Sequence, residues 1–90
     1  MRTEKLLPSA EAFYAEANEE DRAELKRIVR NLCQDPTTNN RTTFAFPVPP
    51  AIMTLYADDR FWVLYHLPNG DELNVVAFGR AGDKVRIRRG

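Results

Sequence analysis

Arg60-Phe61-Trp62-Val63-Leu64-Tyr65-His66-Leu67-Pro68-Asn69-Gly70-Asp71-Glu72-Leu73-Asn74-Val75-Val76-Ala77-Phe78-Gly79-Arg80 is the stretch that decides the fold. Two runs rich in aromatic and β-branched side chains flank a cluster of turn formers, so residues 60–67 and 72–78 read as antiparallel strands. Asn69-Gly70 is a strong hairpin signal, because both residue types tolerate the positive φ that a tight turn between twisted strands requires. Residues 51–56 have the same composition and are set off by Ala57-Asp58-Asp59, which makes the strands a three-stranded meander. Alternation then puts Phe61, Val63, Tyr65 and Leu67 on one sheet face and Trp62, Leu64 and His66 on the other.

Working outward, the N-terminal half changes period from two to 3.6. Ser9 follows Pro8 as a helix cap, and Ala10, Phe13, Tyr14 and Ala17 form one apolar face of a short helix. Asn18-Glu19-Glu20-Asp21 reads as a second cap with an acidic first turn. It opens a longer helix in which Leu25, Ile28, Val29 and Leu32 make a stripe, Arg22, Lys26, Arg27 and Arg30 face water, and Asp35-Pro36 is the stop. Residues 37–43 read as a connector, and Pro47, Pro49 and Pro50 exclude a regular central strand there. Residues 3–7 suggest a short N-terminal strand, and Val85 and Ile87 alternating with Arg86 and Arg88 suggest a C-terminal one. The expected fold is a single α+β domain over residues 1–90. A short strand and a helical hairpin pack on one face of a three- to four-stranded antiparallel sheet. The face bearing Trp62, Leu64 and His66 is then the open one.

With 90 residues, 43% hydrophobic and 10% aromatic, the chain supports one small core without staples. Its 13 basic and 13 acidic side chains cancel, but unevenly: residues 1–35 hold six basic and eight acidic groups, residues 36–90 seven and five. Arg80, Lys84, Arg86, Arg88 and Arg89 crowd the C-terminal end against Asp83. No apolar run approaches the roughly 18 residues of a membrane span, and the mixed charges of Met1-Arg2-Thr3-Glu4-Lys5 do not read as a signal peptide. Cys33 has no second cysteine to pair with, and the expected location is the cytoplasm.

Chemistry is narrowed by what is scarce. One His and one Cys fall short of a zinc ligand set, so no metal is expected, and Cys33 reads as a small buried hydrophobe. Ser9 is the only serine and sits in no nucleophile elbow, and no Gly-rich turn precedes a helix, so serine catalysis and nucleotide cofactors drop out. Arg60, Trp62, His66, Arg80 and residues 86–89 remain, a basic and aromatic set suited in type to phosphates and unpaired bases of single-stranded RNA.

The element order, the run from Arg60 to Leu67, the hairpin, and the hydrophobic strand ending in Gly79-Arg80 together resemble the RelE/ParE toxin superfamily of bacterial type II toxin-antitoxin systems. The helix boundary at Asp35-Pro36 matches the family's pattern as well, so the resemblance spans nearly the whole chain. It implies a toxin that acts on translation by ribosome-dependent messenger RNA cleavage, or on DNA gyrase, and that is held by a cognate antitoxin. Carried over by residue, it makes Arg80, Arg60 and His66 the catalytic candidates and Trp62, Leu64, Arg86 and Arg88 the partner- or RNA-binding ones. Met53, Leu55 and Trp62 stand where the family's basic residues would be, and the family's C-terminal tyrosine is missing. Each lost electrostatic stabiliser costs about 10²–10³ in rate, so these departures and the neutral net charge weigh against a nuclease. Met53, Leu55, Trp62 and Leu64, as exposed apolar residues, would suit wrapping by the antitoxin; the alternative is a non-catalytic RelE-like module that engages a protein partner through its open sheet face with Trp62 and Leu64.

Overall fold

In a computed structural model the described residues are 2–35, the backbone of 41–45, and 52–83. The chain runs β1 (Thr3–Leu6), α1 (Pro8–Glu16), α2 (Glu19–Gln34), β2 (Arg41–Ala45), β3 (Ile52–Ala57), β4 (Phe61–His66) and β5 (Glu72–Arg80). The strands form one sheet in the order β1-β5-β4-β3-β2. The α+β class and the helical hairpin are as expected from the sequence, but the sheet differs in two respects. Among the described residues it has five strands, and it is mixed, because β1 lies parallel to β5 while the other pairs are antiparallel.

Each difference has its cause in strand pairing. Residues 41–43 are polar and were expected in a connector, yet Arg41 to Ala45 pair in register with Tyr56 to Ile52 and form an edge strand. Such a strand needs only its partner's backbone, which a polar sequence does not disclose. β1 reaches the far edge because the helical hairpin carries the chain across the sheet, the long crossover that parallel pairing requires. The C-terminal strand expected around Val85 lies outside the described residues.

The helices are fixed at their ends. Asn18 caps α2, its Oδ1 accepting the Asp21 N–H at 2.8 Å. α1 instead begins at Pro8, whose ring presets the first helical φ, and its N-cap is Leu7 without a side-chain bond, so Ser9 is not the cap. Arg22 was expected to face water. Its guanidinium turns back to donate to the carbonyls of Tyr14 at 3.0 Å and Ala15 at 2.6 Å, satisfying the end of α1 and closing the hairpin.

The main core lies between this hairpin and one sheet face. Leu25, Ile28, Val29, Leu32 and Cys33 from α2 meet Phe61, Val63, Tyr65, Leu73, Val75 and Phe78. Burial pushes the Cys33 thiol above its usual pKa, as suits a small hydrophobe.

The opposite face is not open. Met53, Trp62, Leu64, Val76 and Ala77 form a second buried cluster joined by Leu7 and Leu55, with Met53 1%, Trp62 6% and Leu64 0% exposed. Trp62 lies across Gly79, its cross-strand neighbour. A bulge in β5 shapes this face: Leu64 pairs with Ala77 but Tyr65 with Val75, so Val76 is extra. Asn74 is thereby brought opposite His66.

The hairpin turn is also built differently. Gly82, not Gly70, takes the positive φ, at 90°, in a turn closed by the Asp83 N–H on the Arg80 carbonyl at 3.0 Å. In the β4–β5 connection Asn69 acts through its side chain, its Oδ1 accepting the Asp71 N–H at 2.8 Å.

Candidate functional site

The turn that starts β4 is organised by one carboxylate. Asp58 Oδ1 accepts the N–H groups of Arg60 and Phe61, each at 2.8 Å, and Oδ2 accepts the Tyr56 hydroxyl at 2.9 Å. Burial alone would push the Asp58 carboxyl up. The two backbone donors and the phenol outweigh it and hold the group below its ordinary pKa. Burial, then the bond to Asp58, pushes the Tyr56 phenol up to about 12, so it stays a donor.

A pH dependence follows from this. Because the folded pKa of Asp58 is depressed, its contribution to stability is complete above the unfolded value of about 3.9 and is lost as pH falls through the folded one. Asp58→Ala should cost about 2 kcal/mol at pH 7. Asp58→Asn should flatten the acid limb of stability against pH, as read by urea unfolding between pH 3 and 7.

This turn sets Arg60 beside the end of β5. Phe61 pairs with Arg80, and the Ala81 N–H bonds to the Arg60 carbonyl at 2.9 Å. Both guanidinium carbons lie over the Phe61 ring, Arg60 at 5.5 Å and Arg80 at 5.6 Å from its centroid, and Arg80 is 6.0 Å from the Phe13 ring.

The first turn of α2 closes the group. Asp21 Oδ2 meets Arg80 Nη2 at 2.9 Å and its Oδ1 meets Arg60 Nη2 at 3.5 Å. Glu24 Oε2 meets Arg60 Nη1 at 3.4 Å, and its other oxygen pairs with Arg27. Asp21 is the buried charged residue among the described ones, and two cations meet it there. The arginines are not used up: 46% of the Arg60 side chain and 54% of the Arg80 side chain stay exposed. Such an edge can bind an anion with planar, forked donors.

Arg60 and Arg80 thus come together, on the helix side of the sheet. His66 does not join them. It ends β4, five residues beyond Phe61 and so about 17 Å away along the strand, on the opposite face. There Asn74 Nδ2 lies 3.3 Å from its Nε2, and burial lowers its pKa. The three catalytic candidates therefore do not form one site. Trp62 and Leu64, expected as exposed binding residues, are buried in the second cluster along with Met53. Leu55 is half-buried against that cluster. Arg86 and Arg88 lie outside the described residues.

Asp21 and Glu24 were missed as site residues. A signal was present: Asp21 stands four residues before Leu25 and in line with Ile28 and Leu32, so it heads the buried stripe rather than the wet face. No protein-family model matches the chain, and no curated protein sequence does. Among the described residues no helix is long and apolar enough to cross a membrane.

Proposed function

We propose that the chain is the toxin partner of a RelE/ParE-type toxin-antitoxin pair, cytoplasmic, and acting by binding rather than by cutting RNA. The observation that carries this is the meeting of Arg60 and Arg80, half-exposed at one end of the sheet, with His66 at the other end. Cleavage of a phosphodiester needs a base for the 2′-hydroxyl, cations for the phosphate and an acid for the leaving oxygen within one site. The arginine edge supplies the cations. The order of strand, helical hairpin and meander supports the family reading, and the antitoxin it implies would cover the arginine edge. The target, messenger RNA on the ribosome or gyrase-bound DNA, presents phosphates in either case.

Induced expression without a partner tests this: growth should stop, and primer extension should find no new messenger ends. Unchanged growth with folded protein removes the toxin reading, and Arg80-dependent cleavage sites restore the nuclease.

The alternative, a non-catalytic module with a protein partner, is favoured by Ile52 and Leu67, exposed at 64% and 40%. A stable complex that is insensitive to salt and lost with Leu67→Glu would support it.

A further inference from the structure

Asp21 sits where a ligand of the arginine edge would sit. Its two oxygens each take one Nη2, from Arg60 at 3.5 Å and from Arg80 at 2.9 Å, which is the way two terminal oxygens of a phosphate would divide between two guanidiniums. The contact to Arg60 is at the outer limit of a hydrogen bond, so it is held loosely. Asp21 is not the arginines' only support. Phe61 lies under both, and the chain fixes their backbones through the Asp58 turn and the Ala81 to Arg60 bond. An occupant could leave without the seat collapsing.

We infer that Arg60 and Arg80 form a seat for a phosphodiester of single-stranded RNA, and that Asp21 is its internal occupant, which an incoming phosphate must displace. The inference rests on the binding role proposed above for this edge. Asp21 then sets the affinity. It halves the charge of the two-arginine seat and keeps it weak toward isolated phosphates, and it yields only to a ligand whose other contacts favour the exchange. Glu24 acts the same way on Arg60 alone, while Arg27 draws Glu24 aside through its own ion pair. The facing charges are therefore Asp21 and Glu24 against Arg60, Arg80 and Arg27.

The test uses the whole chain and a fluorescently labelled twelve-nucleotide single-stranded RNA, read by anisotropy across a salt series. Asp21→Asn should bind about tenfold more tightly than the parent, since a competing charge is removed at close range. Its log–log salt slope should stay at the parent's value, because the same phosphates are neutralised once Asp21 has been displaced. Glu24→Gln should show a smaller gain of about threefold, and Asp21→Glu should stay near the parent. Adding Arg80→Ala to Asp21→Asn should cancel the gain. Thermal melts establish that each variant is folded, and Glu24→Gln carries the test if Asp21→Asn is not.

If Arg80→Ala weakens RNA binding while Asp21→Asn and Glu24→Gln bind no better than the parent, the occupant idea is overturned and the binding role stands. If neither the parent nor any variant binds RNA in a salt-dependent way, both fall.

Discussion

Phe61→Ala is expected to cost about 3–5 kcal/mol of stability and to take the candidate site with it. Phe61 is 1% exposed in the main core, so its loss removes a large buried ring and leaves a cavity that Val63, Leu25 and their neighbours can close only in part. A domain of this length has a total stability of order 5–13 kcal/mol, so the variant should lie near its folding limit at 37 °C. Its consequence for the site is separate. With the ring gone, Arg60 and Arg80 lose the surface they share and are held by Asp21 and Glu24 alone. Urea unfolding gives the first effect. Phe61→Leu, which keeps most of the buried volume but not the aromatic face, isolates the second. It should stay folded at a cost below about 1.5 kcal/mol and still weaken anion binding.

Gly79→Ala should be nearly as damaging, for the opposite reason. A Cβ there would stand 2.0 Å from Trp62 Cε2 and 2.3 Å from its Nε1, so the indole must leave its place across the glycine. Trp62 is packed among Met53, Leu64, Val76 and Ala77, and turning it forces these residues apart; the expected cost is about 2–3 kcal/mol, the upper part of the range for overpacking. Trp62 is the only tryptophan, so its fluorescence reports the displacement directly. Trp62→Phe in the Gly79→Ala background should recover part of the loss, a coupling that a double-mutant cycle measures. A Gly79→Ala variant within about 0.5 kcal/mol of the parent would mean that the indole is not held there.

These two effects differ in how far the sequence disclosed them. Phe61 could be placed under the helices, because strict alternation along residues 61–66 survives in the structure. Asn18 and the stripe from Leu25 to Leu32 were equally legible, since capping and helical period are local properties. The seat of Trp62 was not. Its burial depends on Gly79 as the cross-strand partner and on the bulge at Val76, which shifts the phase of β5, and neither follows from one strand read alone. The parallel placement of β1 and the pairing of Arg41 to Ala45 were hidden for the same reason: each is set by a partner strand and not by its own residues.

In the candidate site, Arg60 and Arg80 were legible as basic candidates, but in a set with Trp62 and His66 assigned to the open face and its edge, not as a pair on the helix side. Asp21 was read as part of a helix cap, which it also is, since its N–H bonds to Asn18. Its carboxylate does a second task at the sheet, across 39 residues to Arg60 and 59 to Arg80. His66 ends β4, the strand that starts just after Arg60, and strand length and pleat place it at the far end and on the other face from Arg60 and Arg80.

Whether the Arg60–Arg80 edge, rather than the His66 end of the sheet, carries the proposed growth-arresting activity is decided most directly by two variants compared in one growth assay. Arg80→Gln and His66→Gln, each shown by circular dichroism to be folded, are induced beside the parent. The arrangement of the site predicts that Arg80→Gln no longer arrests growth and that His66→Gln arrests it as the parent does. Arrest that survives Arg80→Gln and is lost with His66→Gln would contradict it.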